Sequence, residues 1–117
     1  MKVSKHFSRE EFACKCGCGF AVADVKLLEI LEVVRERFDQ PVTITSACRC
    51  DSHNKSVDGS DNSKHKLGIA ADIIVKGTDA ELVQSFLYSY IPYSCGIGAY
   101  ETFTHIDVRN DAARWKG

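Results

Sequence analysis

The stretch Ser63-Lys64-His65-Lys66-Leu67-Gly68-Ile69-Ala70-Ala71-Asp72-Ile73-Ile74-Val75 makes sense as a functional unit only if the chain turns near its middle. His65 and Asp72 are seven residues apart, a spacing that shares one helix face. On a straight helix they would still lie roughly 10 Å apart at 1.5 Å per residue, too far to hold one ion. Gly68 resolves this, because glycine enters backbone conformations that other residues avoid and lets the chain fold back. His65 is then expected before the turn and Asp72 on a strand after it. Ala70 to Val75 is rich in β-branched residues and is followed by Gly77, as expected of a buried strand. Asp72 is the odd residue in it: a carboxylate among apolar neighbours is costly to bury unless something compensates its charge.

About thirty residues on comes Thr104-His105-Ile106-Asp107. His65, Asp72 and His105 together supply two imidazoles and a carboxylate, a donor set that suits one zinc ion per chain with a coordination position left open for water. The chemistry implied is metal-assisted hydrolysis. Of the other two histidines, His6 has no ligand company, and His53 lies within the polar run Asp51 to Asn62.

The remaining elements follow from periodicity and punctuation. Ser8 to Glu11 has capping-box spacing and predicts a short helical turn over Arg9 to Phe12. Asp24 begins an amphipathic helix with Leu27, Leu28, Leu31, Val34 and Phe38 on one stripe and Glu29, Glu32 and Glu36 facing away; it stops before Pro41. Val42 to Ser46 alternates as a strand, and the polar run Asp51 to Asn62 reads as an exposed loop with a turn at Asp58-Gly59. A second capping box, Thr78 to Glu81, predicts a helix that buries Leu82, Val83, Phe86, Leu87 and Tyr90 and ends near Pro92. Ile97 to Tyr100 and Thr104 to Val108 predict two short strands. The order suits a single α+β domain over residues 1–117, with helices packed on an antiparallel sheet.

The motif Ser63-x-His65-x-x-Gly68-x-Ala70-x-Asp72, followed by His105-x-Asp107, resembles the signature of the M15 zinc peptidases. This is the group of D-alanyl-D-alanine carboxypeptidases and peptidoglycan endopeptidases that shares its core with hedgehog-type domains. The likeness extends, in order, along nearly the whole chain: Phe7-Ser8-Arg9-Glu10-Glu11-Phe12, Thr43-Ile44-Thr45-Ser46-Ala47-Cys48-Arg49, His53-Asn54, Gly96-Ile97-Gly98-Ala99-Tyr100, Phe103 to Arg109, and Arg114-Trp115. It implies a hedgehog/DD-peptidase-like fold, zinc held by His65, Asp72 and His105, and hydrolysis of the peptide part of bacterial peptidoglycan, as in phage endolysins. Carboxypeptidase and endopeptidase activities both stay open. The alternative is a zinc-containing module that binds cell-wall peptide, or is purely structural, and does not cut.

Within that resemblance Arg49 matches an arginine that faces the substrate, and its planar fork of donors suits a carboxylate or an oxyanion; the plainer reading is a surface ion pair. Ser63 either bonds substrate or caps the turn before His65. The general base is where the pattern departs. The positions that carry an acidic or histidine base in related enzymes are here Thr102 and Phe103, neither a useful proton acceptor. Glu101, one residue earlier, and Asp107, on the same strand face as His105, are the candidates, and Asp107 can instead orient a ligand histidine.

Composition bounds the rest. Fifteen basic against sixteen acidic side chains and a formal charge of −1 give no electrostatic footprint for nucleic acid. No run approaches the ~20 apolar residues of a membrane span, and none of signal-peptide length follows Met1. The expectation is a monomer made in the cytoplasm without a signal peptide. It would reach the wall by lysis, through a holin-like pore or on a virion, which fits a phage or prophage origin. Six cysteines stand in two clusters, Cys14-Cys16-Cys18 and Cys48-Cys50, with Cys95 alone. Free thiols, one or two disulfides between the clusters, and a thiolate metal site all remain open. The Cys-x-Cys spacing is not a standard finger pattern and assigns no ligand.

Overall fold

The apolar stripe after Asp24 folds as helix α1 (Val25–Phe38) in a computed structural model that describes residues 1–117. The Asp24 carboxylate accepts the Leu27 N–H at 3.0 Å, satisfying a donor that the helix start leaves free. Leu27, Leu28, Ile30, Leu31 and Val34 are buried. Glu32 does not face away as the stripe predicts. It is half-buried and accepts from Ser4 Oγ at 2.6 Å and from the His6 backbone at 2.7 Å, with His6 Nδ1 2.6 Å from its second oxygen. The N-terminal segment is thereby tied to α1.

Strands β1 (Val42–Ser46) and β2 (Ala70–Val75) lie where the sequence places them, followed by α3 (Ala80–Tyr90), β3 (Gly96–Ala99) and β4 (Thr104–Asp107). A fifth strand, β5 (Ala113–Lys116), pairs parallel to β3, so the sheet is mixed, with order β1-β2-β4-β3-β5. Its alternating half-exposed residues and edge position leave no apolar run for a sequence reading to detect. α1 and α3 supply Leu31, Val34, Val83 and Leu87 to a single core with Ile73, Ile97 and Ile106 of the sheet.

Two further expectations change. Asp51–Ser56 is a helical segment, α2, inside the run that reads as an exposed loop. Its inward residue is Asn54, 2% exposed, and its N-cap acceptor is the Cys50 sulfur, which accepts the His53 N–H at 3.4 Å. With a polar residue as its buried contact, the segment carries no hydrophobic period. The Thr78–Glu81 capping box does not form either. Asp79 is the N-cap, the Thr78 hydroxyl instead donates to the Lys76 carbonyl at 3.3 Å, and Leu82 and Tyr90 are exposed. The place expected for an apolar residue is taken by Gln84, buried because its amide donates to Tyr100 O, Phe103 O and Thr104 Oγ1 at 3.0–3.3 Å.

Candidate active site

Gly68 has φ +73° and closes the short 3-10 turn Lys64–Leu67 that carries His65, so the chain reverses there into β2. The Ser63 hydroxyl accepts the His65 N–H at 3.2 Å and caps this turn. Antiparallel pairing sets Asp72 directly opposite His105. A local turn and a cross-strand pair, one from each side, thus bring three distant residues together, and all three are buried.

The atoms that converge are His65 Nε2, His105 Nδ1 and Asp72 Oδ1. Asp72 Oδ1 lies 3.3 Å from the first and 3.0 Å from the second, and the ligand atoms of the three residues all fall within 4.8 Å of one another. A tetrahedral zinc with bonds of ~2.0–2.1 Å has ligand–ligand edges of about 3.3–3.4 Å, which the two separations from Asp72 Oδ1 approach. Each ring's other nitrogen is occupied. His65 Nδ1 donates to the Ala47 carbonyl at 2.6 Å, and His105 Nε2 donates to Asp107 Oδ2 at 2.8 Å. Because a carbonyl and a carboxylate only accept, each outward nitrogen carries a proton, while the inner nitrogens point at Asp72 Oδ1.

Asp107 is fully buried and gripped by Arg109, whose Nε and Nη2 donate to its two oxygens at 2.8 and 2.7 Å. Burial pushes the Asp107 carboxyl up, but the bonds from Arg109 and His105 outweigh it and hold the group well below the usual carboxylate range. Burial likewise raises Asp72, and bonds from His105 and His65 bring it down to about 2. Burial lowers His105, and Asp107 and Asp72 more than reverse this, so its pKa is raised.

The sheet makes room for this arrangement through two glycines. In one row across the strands stand Asp72, His105, Gly98 and Trp115; in the row two residues along stand Ala70, Asp107, Gly96 and Ala113. A Cβ on Gly98 would lie 2.6 Å from the Trp115 indole, and one on Gly96 would lie 2.5 Å from the Asp107 carboxylate. Their absence lets Trp115 pack against His105, ring centres 5.0 Å apart, and lets Arg109 reach Asp107.

The cluster opens into a groove of about 600 Å³ whose walls include Arg49, Asp58, Ser63, Tyr100, Arg109 and Trp115. Arg49 is not on the open surface. Its side chain is 16% exposed, with Nη2 3.6 Å from Asp72 Oδ2, Nε bonded to Ser46 Oγ and Nη1 to Asn54 Oδ1, both at 3.3 Å. Asn54 is held in turn by the Ser60 carbonyl at 2.9 Å, and Gly59 is packed so closely that a Cβ would collide with the Asn54 amide. Glu101 is not brought to this groove. It is exposed on the β3–β4 turn and lines a neighbouring depression with Glu81, Gln84, Tyr88 and Lys116. Apart from Asp72, the carboxylate on the groove wall is Asp58, an exposed residue held at φ 55° just after α2. The sequence shows Asp58 only as a turn residue. The partner of Asp107 was within reach, since Asp107 and Arg109 are two residues apart and share a side of an extended chain.

No curated protein matches the chain. The model of a family described as Peptidase M15 matches residues 5–107, a span that contains all three converging residues together with Arg49, Asp58 and Asp107. With its two histidines and one aspartate arranged to hold a metal beside a groove, the chain belongs to the peptidase M15 family.

Proposed function

We propose that the protein is a zinc-dependent peptidase that hydrolyses the peptide part of bacterial peptidoglycan. The observation that carries the metal assignment is the convergence of His65 Nε2, His105 Nδ1 and Asp72 Oδ1, with each remaining ring nitrogen already committed elsewhere. Zinc at such a set supplies Lewis acidity, which activates water and polarises a carbonyl near neutral pH.

The residues around it divide the other tasks. Arg49, restrained by Ser46 and Asn54, presents its guanidinium to a carboxylate or carbonyl of the stem peptide. Asp107 does not act as the base in this reading. It is enclosed, paired with Arg109 and bonded to His105, so it fixes the orientation of His105. Asp58, open to the groove, accepts the proton from the attacking water and passes it to the leaving amine. Tyr100 and Trp115, linked by a bond from Trp115 Nε1 to the Tyr100 hydroxyl at 3.1 Å, form a firm wall against which a peptide lies. The cell-wall substrate and phage origin are proposed from the likeness of the motifs to wall hydrolases. No helix is long and apolar enough to cross a membrane.

Digestion of purified peptidoglycan with mass analysis of the products is the test. Release of D-alanine identifies a carboxypeptidase, and shortened stems or opened cross-links identify an endopeptidase. Wall binding with no product, in a chain shown to hold its metal, would replace the enzyme with a binding module.

A further inference from the structure

Four of the six thiols meet at a second point, away from the groove. Cys14 Sγ lies 3.4 Å from Cys16 Sγ and 3.9 Å from Cys50 Sγ, and Cys16 Sγ lies 3.5 Å from Cys50 Sγ. With Cys18 the four sulfurs all fall within 4.8 Å of one another. A disulfide requires ~2.05 Å between sulfurs, and all six cysteines are free. A tetrahedral zinc with Zn–S bonds of ~2.3 Å has S–S edges of about 3.8 Å, close to the three separations above.

The backbone is shaped to bring these sulfurs together. Cys14, Cys16 and Cys18 alternate along the chain, a spacing that on an extended strand would set their side chains in a line about 7 Å apart. A turn replaces the strand. The Gly17 N–H bonds Cys14 O at 3.1 Å, and Cys14 N–H bonds Phe20 O at 2.8 Å. Gly17 and Gly19 take φ values of +80° and +93° with open space where a Cβ would stand. Glycine is needed there for conformation and not for room, and the conformation closes the loop on its own sulfurs. Cys50 joins from the start of α2, and its own N–H points at Cys14 Sγ at 3.5 Å. The other two thiols have different surroundings. Cys48 is buried with its sulfur between the Val22 N–H and carbonyl at 3.2 and 3.4 Å, and Cys95 is buried beside Ser94.

We propose that Cys14, Cys16, Cys18 and Cys50 form a second metal site, which takes zinc as a closed tetrathiolate. Binding breaks four S–H bonds, forms four Zn–S bonds and releases four protons to solvent, with no oxidant or reductant involved. Four protein ligands leave no position for water, so the site is structural. Its place in the fold gives it a job. Cys50 is the residue after Arg49 and caps the helix that carries Asn54, the side chain that holds Arg49. The ion therefore clamps the N-terminal loop to the segment that forms the Arg49 side of the groove. Cys16 and Cys18 are exposed, which gives the ion access from solvent.

The decisive experiment uses the full chain carrying His65→Ala and His105→Ala, purified under reducing conditions, so that the result does not depend on the groove holding a metal. This variant is expected to retain about one zinc per chain. Replacing that zinc with cobalt is expected to give an intense thiolate-to-cobalt charge-transfer band in the near ultraviolet and strong tetrahedral bands in the visible. Alkylation is expected to spare Cys16 and Cys18 until a strong chelator is added. Cys14→Ser with Cys50→Ser in the wild-type background should lower the metal content by about one. A double-histidine variant without metal, a cobalt spectrum without the charge-transfer band, immediate alkylation of Cys16 and Cys18, or a mass lowered by two hydrogens per cysteine pair would each overturn the site.

Discussion

His65, Asp72 and His105 sit on a sheet and a tight turn, whereas Cys14, Cys16, Cys18 and Cys50 sit on a loop and a helix start. The two clusters differ most in what restrains them apart from an ion. In the first, strand register places Asp72 opposite His105, and each outward ring nitrogen has an acceptor, Ala47 O for His65 and Asp107 for His105. In the second, the Cys14, Cys16 and Cys50 sulfurs touch one another, Cys14 and Cys50 add one backbone N–H each, and Cys16 and Cys18 are exposed. A preorganised set with three protein ligands leaves a place for chemistry, while a set of four thiolates closes around its ion and holds the chain. The difference teaches that strand register aligns the first set, whereas the second depends on a loop closed by two glycines of positive φ.

The largest effect should follow from breaking the first cluster. His105→Ala is expected to lose the metal of the groove and to lower turnover by roughly 10³-fold or more, because Lewis-acid stabilisation amounts to several kcal/mol and each 1.36 kcal/mol is tenfold. Cys14→Ser is expected to lower turnover by about tenfold at most, through a looser Arg49. Metal analysis and turnover on the same preparations check both. Equal losses of activity from the two variants would erase the distinction between a reacting site and a clamp.

The next effect sharpens the first cluster from within. Asp58→Asn should leave both metals in place and lower turnover by ~10²-fold, the usual scale for losing a general base. Glu101→Gln, in the neighbouring depression, should be nearly silent. The reverse pattern would move the proton to Glu101 and require the β3–β4 turn to swing over the groove when substrate binds. Asp107→Asn should behave differently from both, weakening metal retention and activity together by ~10–100-fold, as expected when a ligand histidine loses the carboxylate that orients it. Full metal with lost activity in Asp107→Asn would instead make Asp107 a proton carrier.

How much of this was legible in the sequence depended on whether the signal was local. The Gly68 turn, strand β2 and the nearness of His65 to Asp72 could be read because a glycine, a β-branched run and one misplaced carboxylate lie within a dozen residues, whereas His105, 33 residues beyond Asp72, joined them through the resemblance of its motif to the M15 signature. Helix α2 was hidden because its inward residue is Asn54, and β5 because it lies at an edge and alternates without an apolar run. The cysteines were ambiguous for a different reason. Spacing puts Cys48 and Cys50 in one group, yet the Cys48 sulfur meets Val22 and Cys50 meets Cys14. Which sulfurs meet is decided by the positive φ of Gly17 and Gly19. A sequence can permit such angles but does not declare them. The Glu101 assignment rested on distance along the chain from His105, and a four-residue turn between β3 and β4 was enough to point it into another depression.

The smallest effect concerns protons in place of metal. Both nitrogens of His105 face carboxylate oxygens, Asp72 at 3.0 Å and Asp107 at 2.8 Å, which raise its pKa above the ordinary 6.5 despite burial. The stability gained from that raised value is fully present below pH 6.5 and is lost as pH rises through the folded value. Asp72 and Asp107 have the opposite sign. Their pKa values are lowered from 3.8, so their contribution is present above that pH and falls away only in stronger acid, which keeps it constant through the neutral range. Metal at the cluster takes the lone pair of Nδ1 and competes with this proton, so its binding strengthens as pH rises. Both trends act in one direction: the gap in Tm between metal-loaded and metal-free protein should widen from about pH 6 to about pH 8. Thiolate ligands add a pH dependence of their own, and His105→Gln isolates it because that variant keeps the cysteine cluster. The widening should be clearly smaller in His105→Gln than in the wild type. An identical widening in both would assign the whole pH response to the sulfurs and leave the proton on His105 without a role in metal exchange.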